Sequence, residues 1–489
     1  MNTSSLRAAL RGGAGFFLFL LILASLLFSC ASSKPAEKKA AEIPEESPAE
    51  AAAESLPPLP EAAGTREILT RVSELLALRD FDGALALFDK IGAEEAQSTE
   101  IQLLRASVLN SAGRPGEART IAEKISAEEP DNLDALLVLA NSAAAEGKER
   151  EQRSVLERVV KADPENVKAL TGLGYIALRA QSLRTAAGYF DRALAADDTN
   201  GEALTGRAIV YRYNHDPKKA EQYLNQAVKL YPRWASPRHE RARLYKGAGY
   251  VKQALDDLDA AKRLEPDNYW IAVDRGAALV ELDRKPEALE EFTRAIAMDP
   301  DNFLAYVYSA GIKDESGDYS GAEKDYTTLA RLKPEYYFAF EGIGMLKMRN
   351  HQWAQARDAF LDAYRQAPKE YGYALLAVVN WMRAENTNDP KQFLAQVLRS
   401  APRESLEWSM LRLYHDQAGD TDMALKIDRE KNLENKSKML FYLANYYDIR
   451  GNKNLADKYF IQVRELDRKY TPEYRINEWI VKERGLDAF

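Results

Sequence analysis

The chain has 489 residues, carries 75 Asp and Glu against 67 Lys and Arg, and contains a single cysteine. The acidic balance argues against a protein that binds the phosphate backbone of a nucleic acid, because such a protein needs a net basic face. One cysteine excludes an internal disulfide and a cysteine-rich metal site, and the dominance of Ala, Leu, Glu, Lys and Arg predicts an all-α fold.

The N-terminus has the pattern of an export signal. Arg7 and Arg11 precede an apolar run over residues 16–28, and Cys30 follows where that run ends. A run of this length is short for a membrane span and typical of a signal-peptide core. The pattern resembles a bacterial lipoprotein signal, which implies that residues 1–29 are removed and that Cys30 is lipidated. The alternative is an uncleaved signal anchor over residues 14–31. Under either interpretation the rest of the chain lies outside the cytoplasm.

A tether is predicted after the signal. Residues 30–63 are rich in Ala, Glu and Pro and have almost no large apolar side chain to bury, so we expect them to be disordered. Removal of Arg7 and Arg11 with the signal changes the net charge from −8 to about −10. Because Ala31 rather than Asp follows Cys30, the resemblance to lipoproteins implies an anchor in the outer membrane facing the periplasm.

A 34-residue period dominates the remainder of the chain. It is clearest in the prolines that end each period, which are Pro130, Pro164, Pro232, Pro266, Pro300, Pro334, Pro368 and Pro402. Only Asp198 interrupts this grid. A second grid of mostly small residues consists of Ala84, Ala118, Gln152, Ala186, Ala220, Ala254, Ala288, Ala322, Ala356, Pro390, Ala424 and, after a shorter step, Ala456. A fixed period of this length predicts a stacked helical array, here of about twelve units.

A larger apolar residue follows the small residue after four positions in most units. These residues are Phe88, Leu156, Phe190, Leu224, Leu258, Phe292, Tyr326, Phe360 and Phe460. With Leu173-Gly174 and Ile343-Gly344 in the first helix, the pattern resembles the tetratricopeptide repeat. The resemblance implies a right-handed superhelix of helix-turn-helix units over residues 64–470. Residues 471–489 would form a C-terminal capping helix and tail.

Three units depart from the pattern. Gln152 replaces the small residue in the third unit, which predicts a looser helix crossing there. Pro390 replaces it in the tenth unit, so the second helix of that unit must begin late, near Pro390. The eleventh unit is short and has Asp428 where the aromatic residue is expected.

No catalytic or metal-binding motif is found. The four histidines, His215, His239, His351 and His415, show no metal-ligand spacing, and His215 and His351 fall in turns. We therefore expect neither an enzyme nor a cofactor.

The function is expected to lie in the surface of the array. In the family that the chain resembles, the first helices line a concave groove that binds peptides or partner helices. The positions predicted to line this groove are Tyr175, Arg212, Tyr213, His239, Arg243, Lys246, Trp270, Met345 and Arg349. Aromatic residues and arginines commonly anchor interfaces, although they could equally pack between units.

The leading hypothesis is a non-catalytic, lipid-anchored scaffold of the bacterial cell envelope that binds a protein or peptide partner and no nucleic acid. The alternative is a small-ligand carrier or an accessory component of a solute transporter. The scaffold predicts an open groove, whereas the carrier predicts a closed pocket of convergent polar groups.

Overall fold

The computed structural model describes residues 59–60, 63–384 and 390–486. Every regular element in these ranges is a helix, which confirms the all-α prediction. The predicted signal, Cys30 and nearly all of the predicted tether lie outside the described residues. The chain divides into two compact units between Pro266 and Asp267.

The first compact unit contains six helix pairs and one short helix. Its helices are α1 (Thr65–Ala77), α2 (Phe81–Phe88), α3 (Ala93–Ala96), α4 (Thr99–Ser111), α5 (Pro115–Glu128), α6 (Leu133–Ala145), α7 (Glu149–Ala162), α8 (Val167–Arg179), α9 (Leu183–Ala196), α10 (Gly201–Tyr213), α11 (Pro217–Leu230), α12 (Ala235–Gly247) and α13 (Val251–Leu264). With the exception of α3, consecutive helices form the first and second helices of repeats one to six.

The second compact unit contains repeats seven to twelve and one further helix. Its helices are α14 (Tyr269–Glu281), α15 (Lys285–Met298), α16 (Phe303–Ser316), α17 (Tyr319–Leu332), α18 (Tyr337–Arg349), α19 (Trp353–Gln366), α20 (Tyr371–Arg383), α21 (Lys391–Ser400), α22 (Leu406–Asp416), α23 (Asp420–Asp428), α24 (Leu433–Ile449), α25 (Lys453–Glu465) and α26 (Pro472–Glu483). The predicted C-terminal amphipathic helix is thus present as α26.

A recurrent asparagine caps the N-terminus of several first helices. The side chains of Asn132, Asn166, Asn200, Asn268 and Asn302 each cap such a helix by accepting a hydrogen bond from a backbone N–H of its first turn. This satisfies a donor that would otherwise lack an intrahelical partner. The caps recur in repeats three, four, five, seven and eight, where the first helix begins at the same position of the period.

The turn inside each of repeats one to nine contains one residue in the left-handed region. The residues with positive φ at this position are Arg79, Gly113, Gly147, Gln181, His215, Gly249, Asp283, Gly317 and His351. They follow the same 34-residue period. His215 and His351 therefore occupy turns, as predicted, and the repeat accounts for their positions without a ligand.

The core follows the predicted register. Ala186 and Phe190 have no exposed area, and Phe190 fills the space beside Gly174 of its own repeat and Gly206 of the next. Phe292 and Phe360 lie against Gly276 and Gly344 in the same way. A small residue at the crossing and an aromatic residue beside it therefore recur as one packing unit.

The irregular repeats differ locally from the regular ones. Pro390 is the N-cap of α21, which confirms the late start of that helix. Helix α21 packs mainly against α22, while its link to α20 includes the rings of Trp381 and Phe393, 6.1 Å apart. Because repeat eleven has short helices, α20 also packs directly on α24, the first helix of repeat twelve. The buried Gln152 is stabilised by a 3.2 Å hydrogen bond from Arg179.

Candidate partner-binding surfaces

Six of the nine predicted groove residues lie on three neighbouring first helices of the first compact unit. Helices α8, α10 and α12 pack side by side. Together they carry the N-terminal strip, which consists of Tyr175, Arg212, Tyr213, His239, Arg243 and Lys246. Arg212 and Lys246 occupy the same repeat position, so the strip continues from one repeat to the next.

A buried carboxylate that the sequence analysis overlooked organises the two arginines. Glu240 is only 8% exposed and accepts hydrogen bonds from Arg212 at 3.2 Å and from Arg243 at 2.9 Å. Arg212 also lies over the ring of Tyr213, with its guanidinium carbon 4.7 Å from the ring centroid. Two guanidinium groups thus share one carboxylate. The single turn that separates Glu240 from Arg243 was the available sequence signal.

Two residues of the N-terminal strip pack within the array. The hydroxyl of Tyr175 donates to the carbonyl of Glu202 at 3.1 Å, and its ring lies edge-on to Phe190. His239 is 8% exposed and belongs to the floor of the strip. Tyr175 therefore packs between repeats, as the alternative interpretation of the aromatic residues anticipated. Arg212, Tyr213, Arg243 and Lys246 are half-buried, keep more of their area in solvent than His239 does, and are the better contact candidates.

The other three predicted groove residues lie in the second compact unit. Trp270 on α14 is partly exposed and packs edge-on against Tyr269. Met345 on α18 is 2% exposed and belongs to the core. Arg349, also on α18, lies over the ring of Tyr319 at 3.9 Å. These three residues do not form one continuous strip.

Helix α26 lies against the first-helix face of the second compact unit. It packs on α18, α24 and α25, and Arg475 forms a 2.8 Å ion pair with Asp314 on α16. Tyr442 on α24 donates a 2.6 Å hydrogen bond to Glu473. We call the first-helix residues that α26 approaches the C-terminal groove, which consists of Asp314, Glu341, Arg349, Gly372 and Tyr442.

The C-terminal groove contains an unusual concentration of buried polar groups. Glu341 accepts a 2.5 Å hydrogen bond from Tyr373, which lowers its pKa. Desolvation, with a smaller contribution from the nearby carboxylate of Glu473, nevertheless raises the pKa of Glu341 to about 7. Burial lowers the pKa of Lys438, but the carboxylates of Glu473 and Glu434 more than offset this effect and raise it above its usual value. Charged groups are thus held in a poorly solvated space.

A second charged cluster fixes the end of α26. Asp448 on α24 accepts hydrogen bonds from Arg383, at 2.6 Å, and from Arg484. Although burial alone would raise the pKa of Asp448, the two arginines hold it below its usual value. Arg383 and Arg484 therefore connect the end of α20, α24 and the segment after α26.

The described residues show neither a metal centre nor a membrane span. No group of three His, Cys, Asp or Glu side chains there is arranged to hold a metal ion. In the same part of the chain, no helix is both long and apolar enough to cross a membrane.

Comparisons with known proteins support the repeat assignment. One tetratricopeptide repeat family model matches residues 75–141, and another matches residues 137–201, 239–303 and 273–337. No curated protein matches the sequence. A chain of the crystal structure of the APC/C hetero-tetramer Cut9–Hcn1 is similar with a TM-score of 0.51 and 16% identity over 65% of this chain. The similarity spans 63% of that chain and, at this identity, concerns the fold alone.

Two further solved structures show more limited similarity. A tetratricopeptide repeat protein from Parabacteroides merdae has a TM-score of 0.39 and 16% identity, covering 52% of this chain and 99% of that one. YrrB, described as a TPR protein with an unusual peptide-binding site, has a TM-score of 0.28 and 22% identity, covering 38% and 95%. The family matches, the 34-residue register and the stacked helix pairs lead to one conclusion: the chain contains tetratricopeptide repeats.

Proposed function

We propose that this chain is a non-catalytic scaffold that binds an acidic segment of a protein partner on the N-terminal strip. Tetratricopeptide repeat proteins generally mediate interactions between proteins. The observation that carries the proposal is the pair of arginines, Arg212 and Arg243, held by the buried Glu240 beside Tyr213. Arginines fixed in advance lose less conformational freedom on binding a carboxylate, and a neighbouring aromatic ring adds apolar contact area.

The ligand-carrier alternative finds less support. A cavity of about 560 Å³ lies between α22 and α23 beside Trp408. Its charged lining residues are Arg403, Glu404, Lys426, Arg429, Glu430 and Lys431. It is open to solvent and mixes both signs of charge, whereas a carrier needs a closed pocket whose polar groups converge on the ligand. A scaffold remains the better interpretation.

We further propose that Cys30 carries a lipid that anchors the scaffold in the outer membrane, facing the periplasm, with residues 31–63 as the tether. The support is the sequence pattern around Cys30. Replacement of Cys30 by Ala is expected to move the protein from the membrane fraction to the soluble fraction of the cell envelope. Retention of the Cys30→Ala protein in the membrane would favour the signal-anchor alternative.

The N-terminal strip is tested by a variant that changes its two arginines together with the buried carboxylate that they share. Arg212→Gln/Glu240→Gln/Arg243→Gln removes two positive charges and one negative charge. The matched control is Lys218→Gln, which makes the same net change at an exposed position on the second helix α11. Both proteins are used to capture partners from envelope extracts after their folding has been checked by circular dichroism.

We expect the triple variant to lose a partner that Lys218→Gln retains, because only the triple variant changes the N-terminal strip. The captured partner should also bind the wild type more weakly as salt is raised, since exposed charge contacts are screened. Identical partner sets for the triple variant and the control would refute the strip as the binding site.

A further inference from the structure

Helix α26 makes two different kinds of contact. Toward repeat twelve it packs through buried side chains, and Asn477 donates a 3.0 Å hydrogen bond to the carbonyl of Phe460. Toward repeats eight and nine it presents Arg475, Trp479 and Glu483, which are four residues apart and therefore lie on one face of the helix. The first contact is that of a cap on the last repeat. The second connects residues more than a hundred positions apart.

The contact with repeats eight and nine is made by charged and aromatic groups. Arg475 pairs with the buried Asp314, which is 5% exposed. Trp479 lies edge-on to Tyr319, with their ring centroids 5.9 Å apart, and Arg349 lies over both rings. We call Arg475, Trp479 and Glu483 the α26 stripe. Along this stripe, a cation first pairs with an acid, and an aromatic ring then packs against a second ring and a cation.

The stripe ends in a more exposed contact. Glu483 lies 3.2 Å from His351, and both side chains are more than half exposed. Recognition along the stripe thus depends on residue type and spacing rather than on a large apolar surface.

The seating of α26 also leaves polar groups unsatisfied. One carboxylate oxygen of Glu473, Oε2, is buried and has no hydrogen-bond partner, and the same holds for Oδ1 of Asn477. Glu473 also carries the same charge as the nearby Glu341. Such groups oppose docking because they lose hydration without full compensation. Helix α26 is therefore a specific occupant of the C-terminal groove, but not an optimal one.

We propose that the C-terminal groove is a second binding site, that it accepts a partner helix, and that α26 occupies it as an intramolecular ligand. The partner helix carries the α26 stripe, with an arginine, an aromatic residue and an acidic residue at four-residue spacing. The arginine pairs with Asp314 and the aromatic residue packs between Tyr319 and Arg349. This site is separate from the N-terminal strip, so the two proposals stand or fall independently.

Competition with α26 sets the apparent affinity of the groove. A partner binds only the fraction of molecules in which α26 has left the groove, and its apparent dissociation constant rises in inverse proportion to that fraction. Weakening the stripe increases the open fraction and should tighten binding of a helix added in trans. An inert structural cap would not produce this effect.

The test uses the full chain and a fluorescent peptide of residues 471–486 as the probe. The variant Arg475→Ala/Trp479→Ala weakens the stripe. The control Tyr470→Ala/Lys482→Ala removes the same types of side chain at exposed positions just outside it. We expect the probe to bind the stripe variant at least roughly tenfold more tightly than it binds the wild type or the control, in line with a larger open fraction.

Two comparisons assign any gain in binding to the groove. Adding Asp314→Asn to the stripe variant should reverse the gain in probe affinity, because the arginine of the probe can no longer pair with the carboxylate of Asp314. A probe with alanine in place of Arg475 and Trp479 should bind all proteins weakly. Equal binding of the two probes to the stripe variant would overturn the proposal.

Hydrogen exchange provides a measurement that does not depend on a variant's stability. In the wild type, the amides of α26 should exchange faster than those of α24, because α26 opens without unfolding of repeat twelve. Exchange of α26 and α24 at the same rate would show that α26 is an integral part of repeat twelve, and would also refute the proposal.

Discussion

The contact between Phe190 and Gly206 permits a quantitative test of how adjacent repeats are held together. Phe190 on α9 has no exposed area. A Cβ atom added to Gly206, in the next repeat, would come closer than 3.0 Å to atoms Cε1, Cζ and Cε2 of the Phe190 ring. Gly188 lies on the same helix as Phe190, but a Cβ added there would meet nothing within 4 Å. The two glycines therefore differ in packing alone.

The expected energies follow from two opposing terms. Replacing a helical glycine by alanine stabilises the helix by about 1 kcal/mol, and this gain applies at both positions. At Gly206 the new methyl group also overpacks the interface, which typically costs about 1–3 kcal/mol. Gly188→Ala should therefore stabilise the protein by about 1 kcal/mol. Gly206→Ala should be less stable than Gly188→Ala by about 1–3 kcal/mol, because the helix term cancels in the comparison.

Urea unfolding followed by circular dichroism measures the difference, and hydrogen exchange in α9 and α10 localises it. A rescue variant sharpens the test. Phe190→Leu removes the ring atoms that the methyl group would meet, so Gly206→Ala should no longer destabilise the protein in that background. Equal effects of Gly188→Ala and Gly206→Ala in the wild-type background would refute the reasoning, because the packing term would then be absent.

Two further predictions concern single positions. Because desolvation raises the pKa of Glu341 from 4.5 to about 7, the folded state binds more protons than the unfolded chain between these values, and its stability falls as pH rises through this window. Glu341→Gln should therefore be more stable than the wild type at pH 8, by at most about 3 kcal/mol, and this gain should shrink at pH 5. Urea unfolding at the two pH values measures the gain, and a gain that does not change with pH would contradict this prediction. Tyr373, Lys438, Glu473 and Arg475 are the other ionisable groups that act on Glu341. His215→Gly should raise the midpoint of thermal unfolding, since His215 holds a φ of 58°, which costs a non-glycine residue about 1 kcal/mol. A lower midpoint would show that His215 makes a compensating contact.

The repeat register could be predicted from sequence because its causes are local and recur. Phe190 and Phe292 are buried as expected, and Pro390 marks the start of a late helix as expected. Each of these residues acts on neighbours within its own repeat or the next one. A period in the sequence therefore translates directly into a period in the structure.

The binding surfaces could be predicted only in part, because their geometry depends on side-chain pairing. Arg212 and Arg243 were identified from their repeat positions, but the role of Glu240 between them was not. Met345 was expected at the surface and is buried. Whether a side chain at a first-helix position faces solvent or a neighbour depends on the sizes of the surrounding residues, which the period does not specify.

The contact between Asp314 and Arg475 was beyond the reach of the sequence pattern. These residues are 161 positions apart, and two of the repeats between them are irregular. The sequence predicted α26 as a helix. It could not show that this helix returns to Asp314.

One repeat position explains how a uniform fold can provide two selective surfaces. Arg212, Lys246 and Asp314 occupy this position in repeats five, six and eight. In the first compact unit the position is basic and favours an acidic partner, whereas in the second it is acidic and accepts Arg475. Placing an arginine opposite Arg212 and Lys246 would cost affinity through like-charge repulsion, so the stripe of α26 suits only the C-terminal groove. Under the two proposals, a change of charge at a single recurring position would therefore direct an acidic partner to the N-terminal strip and the α26 stripe to the C-terminal groove.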